Sequence, residues 1–221
     1  MTKVAAYFIS VLFHPLFVPT YMLVLLLLIN PYNFGVSHIS DGRFLLAQVI
    51  LTTVMFPLFS MFMLRQLDFI SSIQLKKREE RIAPFMIIGM FYIGLVVFFI
   101  KTPAQIPLVL SVTFLGATIA LWLAFLINLF TKVSVHTVGV GGLLGMLVIG
   151  MYYFEYTEFY LNLGSLGYFN IEMKILLMVG ILVAGLVGTA RLILKAHTTE
   201  QVYLGYFIGF ICQFIALNFL T

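Results

Sequence analysis

Residues 173–201 read MKILLMVGILVAGLVGTARLILKAHTTEQ. Met173 to Thr189 is almost wholly apolar, and the run continues to Leu194. An apolar helix needs about 20 residues to cross the hydrocarbon core of a bilayer. This stretch therefore predicts a membrane-spanning helix. It ends in an unusual set of groups: Arg191, Lys195, His197 and Glu200 within ten positions. Either they anchor a helix at the water boundary, or they form half of an active site.

The rest of the chain follows the same pattern. Of its 221 residues, 62% are hydrophobic and 9% charged, with a mean hydropathy of +1.13. A soluble domain carries about 25% charged residues, so composition alone predicts a membrane protein. The net charge of +4 is modest. No basic stripe lies on a polar domain, which argues against nucleic acid as a partner. The single cysteine, Cys212, sits in an apolar run and reads as a small buried hydrophobe. The first apolar run extends from Val4 to Leu28, longer than the apolar region of a removable signal peptide.

Seven apolar runs are legible: Val4 to Ile29, Phe44 to Met63, Phe85 to Ile100, Ile106 to Phe130, Val138 to about Phe154, Met173 to Leu194, and Val202 to Leu220. His14-Pro15 and Pro19 interrupt the first, and the third is short. The prediction is an all-α polytopic bundle of seven spans, or six if one of those two does not cross fully. Residues 1–221 read as a single integral-membrane domain. Gly141 with Gly145, Gly205 with Gly209, and Gly180-Ala184-Gly188 place small residues four apart, which lets helix backbones approach closely. The connection 101–107 reads as a tight hairpin, and the aromatic stretch 155–170 as an interfacial belt.

With seven spans, the segments 1–3, 65–84, 131–137 and 191–201 fall on one side of the membrane. That side collects nine of the twelve Lys and Arg residues, with His136 and His197. Only Arg43, Lys101 and Lys174 fall opposite. Three polar clusters far apart in sequence thus reach one surface. Their chemistry suits an anion. Arginine presents a planar fork that matches phosphate oxygens, and lysine adds a point charge. A neutral imidazole can attack phosphorus, and a protonated one can protonate a leaving oxygen. Each group also has a plainer reading: snorkelling cations at helix ends, or a solvated loop with acids and bases paired along KKREER (76–81).

The order basic cluster, Ser-x-His, Arg-x5-His resembles the type 2 phosphatidic acid phosphatase superfamily, and its short bacterial membrane members in particular. That pattern has three parts: Lys-x6-Arg-Pro, then Pro-Ser-Gly-His, then Ser-Arg-x5-His-x3-Asp. Arg191 and His197 have the spacing of the third part, with Ala190 in place of serine and Gln201 in place of aspartate. Ser134 and His136 match the second, with Val133 and Val135 replacing proline and glycine. Aligning on Pro84 puts Lys76 on the lysine and Ala83 on the arginine, with Arg78 and Arg81 nearby to supply the guanidinium.

The resemblance implies a helical bundle with a phosphate site at one membrane surface and neither metal nor cofactor. It implies that His197 attacks phosphorus to give a phosphohistidine and that His136 protonates the leaving alkoxide. Lys76, Arg78 or Arg81, Ser134 and Arg191 would cradle the phosphate. Gln201, or Glu200 if turned inward, would orient His197. Gln201 supplies no counter-charge, which implies a slower enzyme. The expected function is hydrolysis of a lipid-linked phosphate or pyrophosphate in a bacterial inner membrane, with the bilayer itself as partner. The alternative is a catalytically weak or inactive protein that binds anionic lipid, or a transport-type bundle that kept the cradle. A proton-coupled transporter would want ionisable groups near mid-span, and these spans hold almost none besides His14. The sequence leaves the face of the membrane and the choice of lipid open.

Overall fold

The computed structural model describes residues 1–37, 39–72, 79–102, 106–162 and 167–221. Six of its helices are long and apolar enough to cross a membrane: Ser40–Gln66, Ile82–Lys101, Leu108–Asn128, Val135–Tyr152, Met173–Ile193 and Thr199–Leu220. The chain is a multi-pass membrane protein built as an all-α bundle. The third apolar run, short in sequence, is a full helix α5 (Ile82–Lys101). The first run is broken into α1 (Lys3–Leu12) and α2 (Val18–Ile29), so the described residues hold six long spans. The broken segment still leads from one end of the bundle to the other. Ser10 meets Arg191 at one end, and Asn33 meets Tyr156 at the other.

The second span consists of α3 (Arg43–Ile50), a π turn at Leu51–Met55, and α4 (Phe56–Gln66). Pro57 explains the wide turn. It has no N–H to give the Thr53 carbonyl, and the Phe56 N–H reaches back to Leu51 instead. Hydroxyls inside the spans are satisfied locally, because lipid offers them nothing. Thr53, Thr113 and Thr118 each donate to the carbonyl four residues back, at 2.7–2.9 Å.

The remaining long helices are α6 (Leu108–Asn128), α7 (Val135–Tyr152), α8 (Met173–Ile193) and α9 (Thr199–Leu220). The α7–α9 pair is packed most closely, and glycine is the reason. A Cβ on Gly209 would strike the Val138 carbonyl and lie 2.6 Å from the Gly142 nitrogen. One on Gly145 would lie 2.9 Å from the Phe210 carbonyl. Gly205 seats α9 directly on Thr137 and the Ser134 carbonyl. The glycine pairs read from sequence are thus the contact face that sets the start of α9 beside the start of α7. The core around them is apolar: Met22, Leu27, Leu110, Phe114, Met146 and Leu147 form its largest part. Cys212 is fully buried in a second cluster with Ala124, Val138 and Ile208. Large apolar side chains such as Val4, Phe8, Leu182 and Phe207 face outward, where a bilayer would cover them.

One connection carries structure that its sequence reading left unassigned. The aromatic stretch read as an interfacial connection forms a β-hairpin, β1 (Glu158–Asn162) against β2 (Tyr168–Glu172). Phe159 is buried and Tyr160 exposed, an alternation with a period of two. Asn170 and Tyr160 both donate to the Glu158 carboxylate, at 2.6 and 3.1 Å. Of the connection read as a hairpin at 101–107, residues 103–105 lie outside the described residues.

Candidate functional site

The site is assembled from chain ends of helices, and each end has a local cause. Helix α8 stops at Ile193 in a Schellman turn. The Lys195 N–H bonds the Leu192 carbonyl and the Ala196 N–H bonds the Arg191 carbonyl, at 2.9 and 3.0 Å. Lys195 takes the left-handed conformation (φ 51°) that glycine usually fills. The turn delivers His197 just before the next helix begins.

Helix α9 opens with a capping box. Thr198 accepts from the Gln201 N–H at 3.4 Å, and the Gln201 side-chain oxygen accepts from the Thr198 N–H at 3.3 Å. The same Oε1 lies 3.1 Å from His197 Nδ1. An oxygen already receiving an N–H fixes the amide orientation, so Nδ1 must be the donor to it. The neutral ring then carries its hydrogen on Nδ1 and leaves the Nε2 lone pair open. Burial is the main force that pulls the His197 pKa down to about 4. Its hydrogen bond to Gln201 opposes this, while Lys132, Arg191 and Arg81 add to it. At neutral pH His197 is an uncharged imidazole among three cations.

The start of α7 comes from beside it. Ser134 is its N-cap residue, and the Ser134 N–H donates to the Gln201 carbonyl at 3.4 Å. The Ser134 hydroxyl is fully buried and has no partner among the described residues. Two residues on, His136 Nε2 lies 3.0 Å from the Ser10 carbonyl. A carbonyl only accepts, so Nε2 carries the hydrogen and Nδ1 is the open nitrogen of His136. His14 packs edge-on against this ring, with centroids 5.4 Å apart. Arg191 donates from Nη1 to the Ser10 hydroxyl at 3.2 Å, and its buried Nε has no partner among the described residues.

Lys132 donates to the Ala196 carbonyl at 2.9 Å. Its ammonium pKa is lowered, first by burial and then by Arg81 and Arg191. Arg81, in the short helical turn before α5, therefore lies within electrostatic reach of both Lys132 and His197. The structure brings together Arg81, Ser134, His136, Arg191, His197 and Gln201 of the residues expected from sequence. Lys76 and Arg78 lie outside the described residues. Glu200 is exposed in the first turn of α9, so Gln201, and not Glu200, meets the histidine.

Two residues join them without having been expected there, Ser10 and His14, and Lys132, expected only on the same side of the membrane, joins as a further cation. His14 carried a signal in its proline neighbour, and Lys132 in its position two residues before Ser134. Nothing in the sequence marks Ser10.

The arrangement suits a tetrahedral anion. Arg81, Lys132 and Arg191 supply positive charge, and the Ser134 hydroxyl and Arg191 Nε are buried donors without acceptors among the described residues. Buried polar groups are normally paired, and phosphate oxygens would satisfy both. Beside this cluster an apolar crevice opens between α2, α5, α6 and α7. Pro15, Val18, Met22, Tyr92, Leu121 and Val138 line it. Its end at Pro15 adjoins His14. No protein-family model matches the chain, and no curated protein or solved structure matches it.

Proposed function

We propose that the chain is an integral-membrane phosphatase that hydrolyses a lipid-linked phosphate or pyrophosphate through a phosphohistidine at His197. The observation that carries this reading is the grip of Gln201 on His197. It leaves an unprotonated Nε2 among Arg81, Lys132 and Arg191, beside two buried donors that lack acceptors among the described residues.

In the first step the Nε2 lone pair attacks phosphorus. A P–N bond forms as the P–O bond to the lipid breaks. The lipid phosphate enters as its monoanion and passes its proton to the open Nδ1 of His136, whose Nε2–H stays on the Ser10 carbonyl, and the departing alkoxide takes that proton back. In the second step water attacks phosphorus and gives its proton to the now neutral His136. The P–N bond breaks, phosphate leaves, and His197 is restored. Arg191, Arg81, Lys132 and Ser134 stabilise charge on the transferring oxygens. The lipid tail would lie in the apolar crevice that ends at Pro15, with its head group at the histidines. The superfamily resemblance supports the same roles and a bacterial inner-membrane location.

The test is phosphate release from a panel of lipid phosphates and pyrophosphates by purified protein, without added Mg2+. Release is expected from at least one lipid and its loss in His197→Ala. Release that persists unchanged in His197→Ala removes His197 as nucleophile. Binding without turnover across the panel would favour an anionic-lipid-binding protein, a reading to which the neutral Gln201 gives some support.

A further inference from the structure

Ser10 stands outside every motif discussed so far, yet it touches two site residues through two different atoms. Its hydroxyl accepts from Arg191 Nη1, 181 positions away, and its carbonyl accepts from His136 Nε2, 126 positions away. Helix carbonyls are normally taken by the N–H four residues on. The carbonyl of Ser10 is open for a reason that can be traced to the sequence. Pro15 has no N–H for the Val11 carbonyl. Val11 instead receives the His14 N–H, at 3.2 Å. That N–H is the one Ser10 would otherwise have received. The His14-Pro15 break thus leaves a free carbonyl one turn before the helix end, and His136 takes it. Ser10 itself is buried, at 6% exposure, so its contacts are made away from competing water.

We infer that Ser10 is a positioning residue, holding the Arg191 guanidinium and the His136 imidazole in one frame for a bound phosphoryl group. It touches neither the phosphate nor the reacting atoms. It fixes the Arg191 fork by accepting from one terminal nitrogen, so that the remaining donors keep one direction. It fixes the His136 ring by holding Nε2, so that Nδ1 is the nitrogen left to exchange a proton. The inference rests on reading this cluster as a phosphate site, and it adds α1 to that site as a working part.

The experiment measures binding of inorganic phosphate to detergent-purified protein by calorimetry, with lipid-phosphate turnover read on the same preparations. Ser10→Ala removes the acceptor for Arg191 and keeps the carbonyl for His136. Phosphate should bind about tenfold more weakly, as expected for losing one charge-assisted hydrogen bond. Ser10→Thr keeps the hydroxyl and should stay within about twofold of the wild type. In an Arg191→Gln background, Ser10→Ala should cause no further loss, because the two act as one unit. Wild-type affinity in Ser10→Ala, or a loss that simply adds to that of Arg191→Gln, overturns the inference. Should Ser10→Ala fail to fold, Ser10→Cys has nearly the shape of serine but accepts poorly, and carries the same expectation. Failure of both to fold would make Ser10 a packing residue and overturn the inference as well. If the wild type binds phosphate but turns over no lipid, the catalytic reading falls and the Ser10 comparison is decided on binding alone. If the wild type binds no phosphate at millimolar concentration, both fall.

Discussion

Replacing Gln201 by glutamate puts a charge where the site now has a neutral oxygen. The contact is 3.1 Å from His197 Nδ1. At that distance a carboxylate and an imidazolium attract by about 5 kcal/mol at an effective dielectric of about 20. His197 is partly open to solvent, and the carboxylate replaces a hydrogen bond that already exists. The usual result of such a pairing is a rise of 1–3 in pKa. A rise of about 2 would move His197 from about 4 to about 6, or about 2.7 kcal/mol in favour of the cation. The ring would still be mainly neutral at pH 7.5 and able to attack. If the transition state carries about half of the imidazolium charge, turnover should rise about tenfold. The fold should tolerate the change, since glutamate is a regular partner in a capping box and suits a helix N-terminus. The assay is a pH–rate profile of phosphate release for wild type and Gln201→Glu. The acid limb should move from about 4 to about 6, with a higher plateau. An acid limb that does not move would refute the claim that position 201 sets the charge on His197.

Two further outcomes test other parts of the structure. Ser134→Ala removes a buried hydroxyl with no partner among the described residues, so melting in detergent should be unchanged or up by about 1 kcal/mol while phosphate binding weakens; weaker folding together with normal phosphate binding would show that the hydroxyl serves the fold. Gly209→Ala drives a methyl into the backbone of Val138 and Gly142, which cannot yield as a side chain does, and should cost about 3 kcal/mol or collapse the monodisperse peak on size exclusion; Gly185→Ala, with nothing within 4 Å of its Cβ, is the control and should be neutral.

The long spans were legible because lipid imposes one rule on every segment, continuous apolar length, and sequence displays length directly. The glycine pairs on α7 and α9 were legible for a related reason: four-residue spacing puts small residues on one face whatever the partner. The hairpin at 158–172 was missed because its aromatic residues suit an interface as well as a strand. Only the burial of Phe159 beside the exposure of Tyr160 separates the two. At the site, side chains with strong chemistry were found by spacing and sidedness. The capping role of Gln201 was not read from Thr-Thr-Glu-Gln before an apolar run; in the structure that capping box is what holds the Gln201 oxygen on the histidine. Ser10 was not readable. Its contribution is half backbone, released by a missing N–H five residues later, and a sequence does not show which carbonyls go unclaimed.

The reach of Ser10 has a consequence for how the protein comes into being. Helix α1 leaves the ribosome before α7 and α8, and Arg191 follows Ser10 by 181 residues. Until α8 has been made, the Ser10 hydroxyl has no guanidinium to receive, and until α7 is in place its carbonyl has no imidazole. Partially inserted chains therefore hold His136 and Arg191 loosely, however well their individual spans have formed. Helix α1 must meet both α7 and α8 before the cluster acquires its final geometry, so completion of the site also reports the docking of these three helices.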